Sequence, residues 1–93
     1  MIKSFRHKGL EKFFATGKTT GIQAKHTVKL QIQLTALNAA RRPEDMNAPG
    51  WKLHPLKGAD LAGHWAISVN GNWRLTFRFD AEDVILVDYQ DYH

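Results

Sequence analysis

Residues capable of proton transfer and phosphate binding are concentrated in three short segments of the 93-residue sequence. The segments are residues 52–58 (KLHPLKG), 72–77 (NWRLTF) and 91–93 (DYH). Histidine has an ordinary pKa near 6.5, so it accepts or donates a proton near neutral pH. Arginine presents a planar fork of donors that fits a phosphate, and lysine adds a point charge. Such a set suits RNA cleavage, in which a base deprotonates a 2′-hydroxyl, the oxygen attacks the adjoining phosphate, and cations stabilise the phosphorane.

The residues that are missing narrow the chemistry further. The sequence has no cysteine, which excludes disulfides, thiolate nucleophiles and thiolate zinc sites. Its five histidines, at positions 7, 26, 54, 64 and 93, lack close ligand spacing. We therefore expect no metal site and no cofactor.

The charge is distributed unevenly along the chain. Up to Lys57 there are 11 lysines and arginines against three acids, a net charge of +8, and from Gly58 onward two against six, a net charge of −4. A basic surface on a small domain favours a polyanionic partner, because each neutralised phosphate releases counterions. Charge alone leaves nucleic-acid binding and mere solubility equally open.

The first part of the chain predicts a short strand followed by a helix. Residues 2–5 are expected to form the strand. Leu10, Phe13 and Phe14 then recur at helical spacing before Gly17, which is a typical residue for a helix end.

The stretch from residue 22 to residue 40 is ambiguous between strand and helix. Its apolar residues alternate with polar ones as in a strand: Val28, Leu30, Ile32 and Leu34. However, Leu30, Leu34 and Leu37 also form a helical stripe, and alanines follow that favour a helix. The length of the stretch decides for a second helix.

The second half of the chain predicts an antiparallel sheet. Residues 51–56 form a short strand whose Pro55 indicates an edge or bulge. Two alternating strands follow, joined around Asn70 and Gly71, and a last strand follows Glu82. The predicted class is therefore α+β, with a short N-terminal strand, two helices and an antiparallel sheet of three to four strands.

Burial of one sheet face restricts the register of the two hairpins. A three-residue loop at 70–72 is expected to give the pairs Val69–Trp73, Ile67–Leu75 and Trp65–Phe77. A loop at 80–82 is expected to give the pairs Phe77–Ile85, Leu75–Val87 and Trp73–Tyr89. Arg74 would then lie opposite Asp88 on a polar face that also carries Thr76, Arg78, Gln90 and Tyr92.

The length of the chain suits one domain covering residues 1–93. No apolar run approaches the roughly 18 residues that a membrane span requires. The N-terminus has no apolar segment typical of a secretory signal. We therefore expect a cytoplasmic protein without a membrane partner.

In combination, these motifs resemble the HigB branch of the RelE/ParE toxins. The opening MIKSF, the KGL at 8–10, the central KLHPLKG, the later NWRLTF and the closing DYH carry the resemblance from the first residue to the last. It implies a RelE-like α+β fold and a type II toxin–antitoxin system. It also implies a ribosome-dependent endoribonuclease that cleaves mRNA in the A site and is neutralised by a HigA-like helix-turn-helix antitoxin. The free toxin would be a monomer that assembles further through the antitoxin.

The resemblance also implies the residues of the site. Transferred position by position, the active-site residues are His54, Lys57, Arg74, Asp91, Tyr92 and His93. His54 and His93 would be base and acid in an order left open, and Arg74 would hold the phosphate. Tyr92 would stack on a base or orient the substrate, and Asp91 would orient His93. Lys57, Lys52 and Arg78 would bind substrate phosphates.

Other interpretations of the same residues remain. Related toxins inhibit DNA gyrase without RNA chemistry, and other small basic domains only bind nucleic acid or the ribosome; neither function needs His54 and His93 beside Arg74. His54 alone is more often an ordinary surface histidine, and Arg74 would form a mere cross-strand pair if it met Asp88. Trp65 and Trp73 are expected in the core, while Trp51 stays undecided.

Overall fold

A computed structural model describes residues 1–92 and has the predicted α+β architecture. Three short 3-10 turns accompany two helices and a four-stranded antiparallel sheet of order β1-β2-β3-β4. The elements are α1 (Lys8–Thr16), α2 (Thr27–Ala39), β1 (His54–Pro55), β2 (His64–Asn70), β3 (Trp73–Asp80) and β4 (Asp83–Asp91). Neither helix is long and apolar enough to cross a membrane.

The N-terminal segment runs parallel to the outer edge of β4. Bridges join Ile2 to Val84 and Phe5 to Val87, and the Lys3 N–H donates to the Val84 carbonyl at 2.7 Å. The predicted first strand is therefore present as two bridges. It covers an edge that would otherwise expose unpaired N–H and C=O groups.

Helix α1 begins and ends at side-chain and backbone signals. The His7 Nδ1 accepts a hydrogen bond from the Leu10 N–H at 2.9 Å, which caps the first turn. Gly17 follows the last turn with φ +81°, a left-handed conformation that glycine adopts without a Cβ penalty. The helix end predicted at Gly17 is confirmed.

The ambiguous stretch forms helix α2, preceded by a 3-10 turn at Ala24–His26. Leu30, Leu34 and Leu37 are fully buried, as the helical stripe predicts. Val28 and Ile32, the other half of the strand-like alternation, point outward and are 71 % and 54 % exposed. Helical geometry sends the two halves of the alternation to different sides.

The first hairpin confirms two of its three predicted pairs. Trp65 pairs with Phe77 and Ile67 with Leu75, but Trp73 pairs with Asn70 and not with Val69. The physical reason is a β-bulge: β2 carries one extra residue, Val69, between two successive pairs. The predicted three-residue loop is therefore wrong, and only Gly71 and Asn72 connect the strands.

The register predicted for the second hairpin is wrong. Ala81 and Glu82 form a two-residue turn that closes on the pair Asp80–Asp83. Leu86, at φ +58°, and Val87 together lie opposite Phe77, a bulge that shifts the pairing again.

The observed pairs of this hairpin are Leu75–Tyr89, Trp73–Asp91 and Arg74–Gln90. The bulge at Leu86 also buries Val84 and leaves the predicted core residue Ile85 half-buried. The displacement between prediction and structure is two residues over this part of β4. Because the shift is an even number of residues, the β3 residues have different partners on β4, and Arg74 stays on the predicted face.

The core lies between the two helices and one face of the sheet. Its fully buried members include Leu10, Leu30, Leu34, Leu37, Ile67, Leu75, Phe77, Val84 and Val87. Trp51, Trp65 and Trp73 pack partly buried against this cluster, which confirms the core position of Trp65 and Trp73 and decides that of Trp51.

A buried histidine joins the start of α2 to the sheet. His26 is 1 % exposed, and its Nδ1 lies 2.6 Å from the Tyr89 hydroxyl. Because the Gln23 N–H donates to the same phenol oxygen at 3.4 Å, the phenol proton is available for His26. Burial lowers the pKa of His26, and the charge of Lys25 lowers it further.

This lowered pKa predicts a loss of stability in mild acid. The unfolded chain binds a proton at residue 26 that the folded chain resists, so stability is complete above about pH 6.5 and falls as the pH drops through the folded-state pKa. Each unit by which the pKa is lowered contributes about 1.4 kcal/mol. Urea unfolding between about pH 7.5 and pH 5 should show this loss, and His26→Gln should reduce it. The exposed His54→Gln is the control, and an unchanged pH slope in His26→Gln would contradict the assignment.

Candidate active site

The sheet face that points away from the helices carries the candidate site. His54 pairs with Ala66, Ala66 with Thr76, and Thr76 with Asp88, which forms one row across all four strands. Directly paired residues share a face, so these four side chains lie on the same side. Ser68, Arg74 and Gln90 form the adjacent row.

The two rows bring His54, predicted as base or acid, and Arg74, the predicted phosphate ligand, to one surface. Arg74 lies two residues from Thr76, which is about 7 Å along the strand, and β1 lies two strand spacings from β3. The Cα atoms of His54 and Arg74 are therefore about 12 Å apart. Long side chains at that separation can approach one nucleotide from two sides.

His54 lies on the edge strand β1 and is exposed. Its Nδ1 is 2.8 Å from the Lys52 carbonyl oxygen. Because a carbonyl oxygen only accepts, Nδ1 must carry the proton of this hydrogen bond. The neutral ring therefore has its lone pair on Nε2, the atom that can accept a proton from a substrate.

Arg74 is half-buried and anchored at the β2–β3 turn. Its Nη1 donates to the Gly71 carbonyl at 2.8 Å and lies 3.2 Å from the Ser68 hydroxyl. Among residues 1–92, Arg74 has no carboxylate within ion-pair distance. The interpretation of Arg74 as a cross-strand partner of Asp88 is therefore wrong, and its charge is available to an anion.

Asp88 and Gln90 form a polar pair beside the two rows. The Gln90 Nε2 donates to Asp88 Oδ2 at 2.8 Å, and the Tyr89 N–H donates to Asp88 Oδ1 at 2.9 Å. Sequence reasoning placed both residues on this face; it considered Asp88 only as a cross-strand partner of Arg74 and gave Gln90 no role. The sequence signal for their shared face was that both alternate with the apolar-face residue Tyr89.

The C-terminal segment divides between the two faces. The Tyr92 N–H donates to the Asn72 carbonyl at 2.9 Å and extends the β3–β4 register by one pair. By alternation Tyr92 shares the face of Gln90 and Arg74, and it is 37 % exposed.

Asp91 pairs with Trp73 and so faces the helix side of the sheet. Burial raises the pKa of Tyr89, and the negative charge of Asp91 raises it further. His93 lies outside the described residues, so its role and the orientation of its ring by Asp91 stay predictions.

The predicted phosphate-binding cations Lys52, Lys57 and Arg78 are all exposed. Lys52 and Lys57 are exposed and flank His54 in sequence. Arg78 lies one row beyond, opposite His64, and is exposed as well. Its side chain runs over Gly63, where an added Cβ would meet Nε at 3.3 Å.

His64 is a buried polar residue that sequence reasoning missed. It is 5 % exposed, and neither ring nitrogen has a hydrogen-bond partner among the described residues. It shares the face of Ala66, two residues away on β2, and so lies diagonal to His54. Neither this histidine nor any other residue from 1 to 92 belongs to a group of three or more potential metal ligands.

Comparison with known proteins shows the family of the chain. Residues 3–93 match the family model of the RelE-like toxin of type II toxin–antitoxin system HigB. The chain belongs to the HigB-like toxin family. A curated relative, Endoribonuclease HigB of Proteus vulgaris, is 44 % identical over 93 residues and is covered completely, as is the chain itself.

A type II toxin implies a cognate antitoxin as partner, so one small protein must offer a protein-binding surface as well as its functional site. In this HigB-like toxin the polar sheet face and the basic helix side lie on opposite sides of the core.

Proposed function

We propose that this HigB-like toxin is a metal-independent endoribonuclease that cleaves mRNA in the ribosomal A site and so inhibits translation. The observation that carries the proposal is one surface that holds the Nε2 lone pair of His54 and the guanidinium of Arg74, which has no carboxylate partner among residues 1–92. Family membership and the endoribonuclease name of the Proteus vulgaris relative support it. Because the substrate would be mRNA on a translating ribosome, the activity would belong to the cytoplasm.

The reaction follows from the protonation state of His54. Nε2 would remove the proton of a 2′-hydroxyl, and the resulting oxygen would attack the adjoining phosphorus. The bond from phosphorus to the 5′-oxygen breaks, and the departing oxygen takes a proton from a general acid. We assign that acid to His93, since histidine suits both roles near neutral pH. The products are a 2′,3′-cyclic phosphate and a 5′-hydroxyl.

The cations would stabilise the charge that develops at the phosphate. Arg74 has a guanidinium anchored at one end by the turn carbonyl, so little reorganisation is needed when the phosphorane forms. Lys52, Lys57 and Arg78 would bind the flanking phosphates as weaker, solvent-exposed contacts. Tyr92 would stack on a base at the open end of the same face.

Removing these groups should slow cleavage strongly without unfolding the protein. We expect His54→Ala and deletion of His93 each to lower the rate on ribosome-bound mRNA by about 10²- to 10⁴-fold. Arg74→Ala should lower it by about 10²- to 10³-fold. Mapping of 5′ ends in a translating extract measures all three, with the exposed Arg41→Ala as a control for lost positive charge. Undiminished cleavage in the three variants, or gyrase inhibition without RNA cleavage, would contradict the proposal.

The helix side of the protein supports a proposal for the antitoxin surface. Val28 and Ile32 form an exposed apolar ridge on α2. Beside it, α1 and α2 enclose a groove of about 360 Å³ whose lining includes Phe13, Phe14 and Leu34.

The charge of this helix side favours an acidic partner. From residue 8 to residue 39 the chain has five lysines and one acid, Glu11. An acidic, amphipathic segment of a HigA-like helix-turn-helix antitoxin would cover the apolar ridge with its apolar side and neutralise the lysines with its acidic side chains. We therefore propose that the antitoxin covers the helices, that the free toxin is a monomer, and that larger assemblies form through the antitoxin.

A negative charge introduced on the ridge should separate antitoxin binding from cleavage. Val28→Asp and Ile32→Asp remove exposed apolar surface, so we expect the fold to tolerate them and antitoxin affinity to fall by about 10- to 100-fold. Titration calorimetry with the cognate antitoxin measures the affinity, and Glu82→Ala at the β3–β4 turn is the control. Wild-type affinity in both ridge variants would exclude this surface.

A further inference from the structure

Lys52 adopts a backbone conformation that is unusual for a lysine. Its φ is +54°, in the left-handed region where a side chain crowds its own backbone. Glycine adopts this conformation easily and asparagine tolerates it. A non-glycine residue held there signals a local requirement that outweighs the strain.

The left-handed turn places the Lys52 carbonyl against the catalytic histidine. Lys52 and Leu53 lead from Trp51, whose carbonyl accepts a hydrogen bond from the Ser68 N–H of β2, to His54. The Lys52 carbonyl oxygen lies 2.8 Å from His54 Nδ1. Among the described residues, this carbonyl is the only hydrogen-bond partner of the His54 ring.

The strand itself does little to orient that ring. Strand β1 has two residues, and its pairing with β2 consists of His54–Ala66 and Pro55–Trp65. His54 is exposed, so packing does not restrict its side-chain torsions as a core would. The carbonyl of residue 52 is therefore the group that selects the ring orientation and the tautomer.

We propose that Lys52 is a positioning residue for His54 and acts through its main-chain carbonyl. The carbonyl holds the proton on Nδ1, which leaves the lone pair of Nε2 directed at the substrate. It also faces the positive charge that forms on the ring once Nε2 takes a proton, as the carboxylate does beside the histidine of a serine protease. This role rests on the proposed function of His54 as the base, and it is separate from phosphate binding by the Lys52 ammonium group.

Substitutions at residue 52 distinguish the carbonyl from the ammonium group. Lys52→Gly, Lys52→Asn and Lys52→Val all remove the charge equally. Glycine and asparagine keep the left-handed conformation, whereas the β-branched valine disfavours it. A role of the ammonium group predicts the same loss in all three variants, and a role of the carbonyl predicts that Lys52→Val stands apart.

The tautomer can be measured without reference to activity. Ring ¹⁵N chemical shifts, measured at a pH where the His54 ring is neutral, report which nitrogen carries the proton. The signals are assigned by their loss in His54→Gln. We expect the Nδ1–H tautomer in the wild type, in Lys52→Gly and in Lys52→Asn, with a shift toward Nε2–H in Lys52→Val. If the wild-type His54 ring carries its proton on Nε2, that result alone would overturn the proposal.

Cleavage of ribosome-bound mRNA should follow the tautomer. We expect Lys52→Val to be at least tenfold slower than Lys52→Gly and Lys52→Asn, with thermal unfolding confirming that all three fold. If the wild type cleaves mRNA, equal rates in the three variants would overturn the proposal, and so would an unchanged tautomer in Lys52→Val. If the tautomer shifts as expected while even the wild type leaves mRNA intact, the positioning stands and the nuclease function fails.

Discussion

The constraint on which the site depends is that directly paired residues of a sheet share a face. His54, Arg74 and Tyr92 come from an edge strand, an interior strand and the chain end, and pairing through Ala66 and Thr76 places them on one surface. Two bulges interrupt this pairing, at Val69 and at Leu86. Each bulge lies just outside the two rows, so the pairs Arg74–Gln90 and Thr76–Asp88 keep regular alternation and the polar face remains continuous.

Much of the fold follows from periodicity alone, and the exceptions have a common cause. The second helix is predictable because its length and alanines outweigh a strand-like alternation. The pairs Trp65–Phe77 and Ile67–Leu75 are predictable because burial forbids a one-residue slip. The bulges are not predictable, since an extra residue such as Leu86 depends on local backbone geometry and on the Ser4 hydroxyl that accepts its N–H. Burial of Val84 in place of Ile85 follows from that bulge.

The site was predictable where the chemistry is in side chains and not where it is in the backbone. His54 and Arg74 stand out by residue type and motif, and the polar face follows from parity. The Lys52 carbonyl and the strained φ behind it have no signature in the residue types. The face of Asp91 follows from its alternation with Gln90 and Tyr92, whereas its pairing with Trp73 depends on the register of β4, which the bulge at Leu86 changes. Buried His64 was missed because its neighbours are brought together only by the fold.

The identity of the cleavage products tests the central claim most directly, because only attack by the 2′-hydroxyl makes the polar face sufficient without a metal ion. Ribosome-bound mRNA cleaved by the purified protein should end in a 2′,3′-cyclic phosphate with a 5′-hydroxyl on the downstream fragment. A single 2′-deoxy nucleotide at the cleaved position should prevent the reaction. A 5′-phosphate on the downstream fragment, or normal cleavage of the deoxy-substituted mRNA, would contradict the account.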